Sequence, residues 1–388
     1  MKRWLGLLCL SVWSAWVAAA PLPLAPEVAA KAYLLMDVTT GQVLAERDAD
    51  APVEPASLTK LMSAYVVFDA LKSGRLQLEQ TVPVSERAWR TGGSRMFLEP
   101  RWQVPVEDLI KGMIVQSGND ATVTLAEAVG GTVEQFVVMM NQQAEALGLK
   151  HTHFTNPDGL PEAGHSTTAR DLATLATSLM RDFPQYVGYY AIQHYRYPNT
   201  PKANDTNRNT LLFRDPSVDG LKTGHTDAAG YCLVATAQRP SPALAPDGKR
   251  RLLSVVLGAS SSVARANESQ KLLNWGYTAY RLTRLSDADK ALVRPKIWKG
   301  ASDQAQLGVA GGLVVAVPAG QSKALRTQAT HAKPLMAPLA QGQVVGDVQV
   351  RLGDDGPVLL SRPLQAMAAV PEAGFMKRAW DGLMLSLE

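Results

Sequence analysis

The chain has 388 residues, 46% apolar and 19% charged, with a formal net charge of +4. That length accommodates two domains with a sizeable core, and the composition excludes a disordered chain. The small charge, with no basic patch interleaved with aromatics, excludes nucleic acid as the expected partner, and no internal run of 18 or more apolar residues predicts a membrane-spanning helix.

The chain opens on Lys2 and Arg3, an apolar run from Trp4 to Val17, and Ala18-Ala19-Ala20. This pattern predicts a secretory signal over residues 1–20, cut after Ala20 or Ala19; its short apolar region also admits an uncleaved signal anchor. Export would leave a net charge of +2 and Cys232 as the one remaining cysteine. No intramolecular disulfide is then expected, and Cys232, within the apolar run Tyr231–Ala235, reads as a buried, inert thiol.

Tyr33–Asp37 and Gln42–Glu46 flank Thr39-Thr40-Gly41, a hairpin signal. A helix is expected from Ser57 to about Leu71, since Leu58, Leu61, Met62 and Tyr65 recur at helical spacing. Residues 75–106 read as irregular. Helices are expected over Val106–Val115, from Asp120 to Val129, over Val133–Leu147 and over Thr168–Arg181. The stretch 182–218, rich in Tyr, Pro and Asn, has little periodicity. Strands are expected over Val218–Thr223, Gly230–Ala237 and Arg251–Gly258, then a helix over Ala264–Tyr280. A hairpin, several helices, three strands and a helix predict an α/β (α+β) domain over residues 21–284, its antiparallel sheet interrupted in sequence by a helical insertion.

From about residue 285 short apolar runs, such as Val314–Val317 and Val358–Leu360, alternate with Gly, Pro and Asp, predicting a small all-β sandwich over residues 285–368. Within the last segment, 369–388, Phe375–Glu388 gathers Phe375, Met376, Ala379, Trp380, Leu383, Met384 and Leu387 on one half of a helical wheel and Lys377, Arg378, Asp381 and Glu388 on the other. It is too short and too charged to span a bilayer. It reads as an interfacial membrane anchor, the alternative being a helix packed on its own domain.

Three patterns carry the chemistry, and each occurs once: Ser57-Leu58-Thr59-Lys60, Ser117-Gly118-Asn119 and Lys222-Thr223-Gly224. Residues three apart on a helix share a face, so Lys60 stands one turn below Ser57. A serine hydroxyl needs a base to attack, and a lysine serves once its surroundings lower its pKa. Free N–H groups at the helix start favour developing negative charge. By itself the first pattern also reads as an N-cap serine beside a solvated lysine. Ser117-Gly118-Asn119 falls at a tight junction between two helices, where Gly118 is expected to free the backbone. Were Lys60 and Lys222 to share one site, their repulsion would lower the pKa of at least one.

Together the three patterns form the signature shared by penicillin-binding proteins and class A β-lactamases. Their surroundings, Pro55–Met62, Gln116–Ala121 and Asp219–Thr226, resemble the low-molecular-mass D-alanyl-D-alanine carboxypeptidases of the penicillin-binding protein 5/6 type, peptidase family S11. The resemblance implies removal of the terminal D-Ala from peptidoglycan stem peptides ending in D-Ala-D-Ala, through a serine ester that β-lactams form covalently. It implies a location on the periplasmic face of the inner membrane, attached through the C-terminal helix, and no metal or cofactor. Carried over by motif, Ser57 is the nucleophile, Lys60 its general base, and Ser117 the proton relay to the leaving amine, helped by Lys222. Asn119 holds the substrate amide, and the N–H groups of Ser57 and His225 form the oxyanion hole. Lys222, Thr223, Gly224 and an arginine receive the extended peptide and its carboxylate. Arg208 and Arg265 match family positions near that carboxylate, the alternative for each being a surface salt bridge. Asp158, in Asn156–Leu160, stands where related enzymes carry a histidine or another polar residue, and reads as a turn aspartate.

The motifs also admit a transpeptidase, a β-lactamase-like hydrolase or a non-catalytic wall-binding scaffold. Against the second, residues 150–180 hold no Glu-x-x-x-Asn loop and only one glutamate, Glu162. Against the third, Ser57, Lys60, Ser117, Asn119 and Lys222 are all intact.

Overall fold

The structure is a computed structural model that describes residues 22–244 and 248–387. The expected signal segment lies outside the described residues. Two compact units emerge, Leu24–Leu282 and the region from Thr283 onward.

The first unit is built on one antiparallel sheet. Strand β1 (Ala32–Asp37) turns into β2 (Gln42–Arg47), as the hairpin signal predicts. After a 3₁₀ turn over Ala56–Thr59 comes helix α1 (Lys60–Lys72). The supposedly irregular stretch that follows contains a small ladder, β3 (Thr81–Pro83) against β4 (Gln103–Pro105), with the short helix α2 (Glu86–Arg90) between them. Helices α3 (Val106–Val115), α4 (Asn119–Gly130), α5 (Val133–Ala146) and α6 (Ala169–Asp182) complete the insertion. The sheet resumes with β5 (Val218–Thr226), β6 (Gly230–Pro240) and β7 (Lys249–Ala259), and α7 (Ser262–Ala279) closes the unit. Strand order is β2-β1-β7-β6-β5. The chain thus returns from its helical excursion to lay β7 against β1, and β5 is left at the edge.

Both faces of this sheet are covered, so its central strands are apolar at nearly every position. Side chains alternate between faces. Leu34, Cys232, Val234, Leu253, Val255 and Leu257 enter one core with α1 and the inserted helices. Leu35, Leu233, Ala235, Leu252 and Val256 enter a second core with Leu272, Leu273 and Tyr277 of α7. Helix α1 is buried around almost its whole circumference, which places its first residues deep in the fold. A buried ion pair, Arg250 Nε to Asp37 Oδ2 at 2.7 Å, ties β7 to the end of β1.

The second unit begins within β8 (Tyr280–Ser286). It contains β9 (Leu307–Gly308), β10 (Leu313–Pro318), β11 (Leu325–His331), β12 (Val344–Leu352) and β13 (Val358–Ala366). One sheet has the order β11-β12-β13-β9, and β10 pairs with β8. Val315, Val348, Val350, Leu360 and Leu364 share its core. Helix α8 (Phe375–Leu385) belongs to this same unit. The expectation treats the terminal helix as a separate segment, yet it is fastened to the loop before β9: Asp381 is buried and accepts from the Lys299 N–H at 2.6 Å, and Lys377 pairs with Asp303 at 2.5 Å.

Candidate active site

The site is assembled from the turn before α1, the α3–α4 junction, the edge strand β5 and the loop between α5 and α6. Ala56 holds a φ of +48°, a conformation that residues with side chains rarely adopt. It redirects the chain so that Leu58, Thr59 and Lys60 are buried while Ser57 stays half-buried and reachable. The helix therefore does not begin at Ser57. A 3₁₀ turn, Leu58 N–H to Pro55 C=O at 3.1 Å, carries the serine, and the α-helix starts at Lys60. Gly224 of β5 lies against this turn: a Cβ there would stand 3.2 Å from Ala56 Cβ, Leu58 Cγ and the Pro55 carbonyl oxygen. The third motif needs its glycine for this close approach.

Lys60 is 1% exposed. Its Nζ lies 3.1 Å from Ser57 Oγ, 2.7 Å from Asn119 Oδ1 and 2.5 Å from the Asp158 carbonyl oxygen. Both latter groups can only accept, so they take two N–H bonds and leave the third nitrogen position facing Ser57. In a neutral amine that position is a lone pair directed at the hydroxyl proton. Burial is the main force that pulls this lysine down to about 8, Arg208 adds to it, and the carboxylates of Asp158 and Asp120 oppose it.

Ser117 takes a φ of +60°. The strained residue at the α3–α4 junction is thus the serine, and Gly118, with φ −62°, does not supply the turn as expected. Gly118 is needed for space: a Cβ there would come within 3.0 Å of Asp120 Oδ1 and the Met96 nitrogen. Lys222 Nζ donates to Ser117 Oγ at 2.9 Å and to the Thr223 carbonyl at 3.0 Å. Burial first, then the charges of Lys60, Arg208 and Arg265, hold Lys222 well below its ordinary value. Repulsion between the two lysines is real, but desolvation outweighs it.

Asn119 is 3% exposed; besides receiving Lys60 it donates through Nδ2 to the Gly92 carbonyl at 2.7 Å. His225 is exposed, its ring centroid 4.0 Å from that of Tyr231. Thr223 and Gly224 are buried along β5. The two arginines part company. Arg208 is exposed and, among the described residues, makes no hydrogen bond or ion pair; buried Asn207 and Asn209 on either side pin its backbone, Asn209 to the Gly220 carbonyl at 3.1 Å. Arg265 is buried and donates to the Gly224 carbonyl at 3.0 Å. Neither forms the surface salt bridge that was the alternative, and Arg265 acts on the strand.

Sequence reasoning missed three contributors. Asp158 matters through its main-chain carbonyl, while its side chain makes the expected turn, accepting from the Leu160 N–H at 3.2 Å. Gly159 packs on the nucleophile's turn. Asp120, fully buried, accepts from the N–H groups of Met96, Phe97, Leu98 and Ala121 at 2.8–3.0 Å and so fixes the loop that frames Asn119. Its adjacency to the second motif was the one available signal. Among the described residues no cluster of three or more His, Cys, Asp or Glu side chains is placed to hold a metal ion.

The arrangement is a half-exposed hydroxyl backed by a lysine of lowered pKa, beside a second serine–lysine pair and along an unpaired strand edge. It fits acyl transfer to and from serine. Residues 18–261 match the family D-alanyl-D-alanine carboxypeptidase, peptidase S11, and residues 280–372 match the C-terminal domain of penicillin-binding protein 5. The chain is 43% identical over 369 residues to D-alanyl-D-alanine carboxypeptidase DacC of Escherichia coli, spanning 93% of this chain and 89% of that one. The crystal structure of penicillin-binding protein 5 from Haemophilus influenzae superposes with a TM-score of 0.82 at 37% identity, covering 90% of this chain and all of the other. Penicillin-binding protein D2 of Listeria monocytogenes in its ampicillin-bound form does so with a TM-score of 0.58 at 30% identity, covering 66% of this chain and all of the other. The chain belongs to the S11 family of serine D-alanyl-D-alanine carboxypeptidases.

Proposed function

We propose that the protein removes the terminal D-Ala from peptidoglycan stem peptides ending in D-Ala-D-Ala, and that β-lactams acylate the same serine. The observation that carries this reading is the convergence of Lys60 on Ser57, Asn119 and the Asp158 carbonyl. Neutral Lys60 takes the Ser57 proton as Oγ bonds to the carbonyl carbon of the penultimate D-Ala. Backbone N–H groups of Ser57 and His225 receive the oxyanion. Ser117, held by Lys222 at Oγ, gives its proton to the leaving nitrogen as the C–N bond breaks and takes in its place the one that Lys60 holds, so D-Ala departs and Lys60 is neutral again. Water then attacks the ester, Lys60 takes the water's proton, and it hands that proton to Ser57 Oγ as the C–O bond of the ester breaks. The second N–H of the Asn119 amide holds the substrate's amide carbonyl, and the strand edge of β5 pairs with its main chain. Arg208, exposed and without a partner among the described residues, meets the terminal carboxylate. Arg265 supports that strand from its Gly224 contact.

The domain over residues 21–284 is the peptidase, 285–368 the small β domain, and the terminal helix the attachment to the periplasmic face of the inner membrane. Among the described residues no single helix is long and apolar enough to cross a membrane. The apolar residues Phe375, Met376, Trp380 and Leu383 are nevertheless exposed on α8, which supports an interfacial helix.

The test is the intact mass of the protein over time with benzylpenicillin, paired with D-Ala release from a pentapeptide. The expected result is a long-lived adduct on Ser57 together with D-Ala release, both absent in a folded Ser57→Ala variant. Rapid loss of the adduct with drug hydrolysis points to a β-lactamase-like hydrolase, and no adduct at all to a scaffold.

A further inference from the structure

The carbonyl that orients Lys60 sits on an irregular loop, and a loop must be fastened if its carbonyl is to stay in place. Three fasteners come directly from the catalytic turn and α1. Ser63 Oγ donates to the Pro157 carbonyl at 2.5 Å, Lys60 to the Asp158 carbonyl, and Gly159 lies against the Ala56 carbonyl. The fourth is indirect. His165, 4% exposed, puts Nε2 at 2.9 Å from Thr59 Oγ1 and Nδ1 at 2.9 Å from Thr155 Oγ1. Thr59 immediately precedes the catalytic lysine, and Thr155 opens the loop that carries Asp158.

The ring's proton can be assigned. The Thr155 backbone N–H also points at Nδ1, at 3.4 Å, and a backbone N–H can only donate. Nδ1 is therefore the acceptor, and Nε2–H donates to Thr59. A second ring proton would meet that N–H head-on. Burial is the main cause that holds the imidazole down to about 4, opposed by the nearby carboxylate of Glu162 and reinforced by the neighbouring His153. The bridge is thus a neutral, directional link with one donor and one acceptor.

We propose that His165 is a positioning residue for the acylation step: by joining Thr59 to Thr155 it clamps residues 155–160 on the Ser57–Lys60 turn and keeps the Asp158 carbonyl on Lys60. The proposal rests on the reading of Ser57 and Lys60 given above. His165 touches neither substrate nor reacting atoms. Its loss should leave encounter with the substrate intact and misplace the base, and a misplacement of about 1 Å costs on the order of a hundredfold in rate.

The experiment is rapid-mixing acylation of the full chain by benzylpenicillin, read as the saturating rate constant and the Kd of the preceding non-covalent complex. Variants are His165→Ala, Thr155→Val, which deletes one hydroxyl at similar volume, and the double variant. The saturating rate is expected to fall between about tenfold and a hundredfold in each, with Kd changed by less than about threefold. The double variant should lose no more than the worse single, because both break the same bridge. Losses that multiply in the double variant, a change confined to Kd, or an unchanged rate in Thr155→Val would overturn the clamp. Should His165→Ala not fold, Thr155→Val alone decides. Wild-type protein that forms no adduct overturns the Ser57 reading, and the clamp with it; normal wild-type acylation beside unaffected variants overturns the clamp alone.

Discussion

The Lys60 side-chain nitrogen lies 2.5 Å from the backbone carbonyl oxygen of Asp158. A main-chain carbonyl cannot be titrated, so this contact persists whether the lysine is charged or neutral. What titrates is the lysine, drawn down to about 8. Acylation needs its neutral form. The saturating rate of penicillin acylation should therefore climb about tenfold per pH unit below 8 and level off above it. Rapid mixing between pH 6 and 10 checks this. A rate that is flat from pH 6 to 9, or falls on passing 8, would rule out neutral Lys60 as the base.

Gly159 is predicted to be the least replaceable glycine near the site. Its φ is +86°, and a Cβ would stand 1.9 Å from the Ala56 carbonyl oxygen and 3.0 Å from the Ser57 nitrogen. These are backbone atoms that cannot swing aside. Gly159→Ala should destabilise the fold by roughly 3 kcal/mol and reduce acylation by about a hundredfold or more. Gly74→Ala makes a suitable comparison, since Gly74 has a similar φ of +74° but nothing within 4 Å of its Cβ position. It should cost about 1 kcal/mol through backbone strain and leave acylation unchanged. Equal thermal shifts in the two variants would mean that the steric argument at Gly159 is wrong.

Much of this was legible before the structure. Periodicity placed β1, β2 and α3 within a residue or so of their observed ends, because those segments bury one face or sit between clear turn residues. Motif spacing brought forward Ser57, Lys60, Ser117, Asn119 and Lys222, which the fold does assemble in one place. The rest depended on backbone and on distance. The Asp158 carbonyl carries no side-chain signature. In the turns that carry the first two motifs the left-handed residues are Ala56 and Ser117, types that give no hint of it, whereas Gly118 attracted the inference wrongly. Strand β11 went unseen because its residues are largely exposed and polar. Arg265 resembled a ligand residue from its place in the chain, and only three-dimensional contact shows it spending a hydrogen bond on Gly224.

Asp120 is expected to be essential for the shape of the site without touching substrate. Its two oxygens accept four backbone N–H groups, three of them from Met96–Leu98. In Asp120→Asn one oxygen becomes an NH₂ group that faces donors. Buried donors left unpaired cost roughly 1–3 kcal/mol each, so a loss of about 2–4 kcal/mol is expected. Chemical denaturation measures it, and amide exchange should show faster exchange at residues 96–98. A variant with wild-type stability would show that the loop is held by other contacts.

Helix α8 supplies the last prediction. Its polar side is committed to its own unit through Asp381 on the Lys299 N–H, Lys377 on Asp303 and Arg378 on Glu372. Phe375, Met376, Trp380, Leu383 and Leu387 are left between 55% and 85% exposed. Burying even half of that apolar surface in a headgroup region would contribute several kcal/mol, at about 25 cal/mol per Å². Deleting Phe375–Glu388, or replacing both Trp380 and Leu383 by Asp, should abolish co-sedimentation with phospholipid vesicles. Neither change touches the groups around Ser57, so penicillin acylation should proceed at the wild-type rate. Vesicle binding that survives both changes would mean that the exposed stripe serves some other contact, and loss of acylation would mean that α8 supports the peptidase itself.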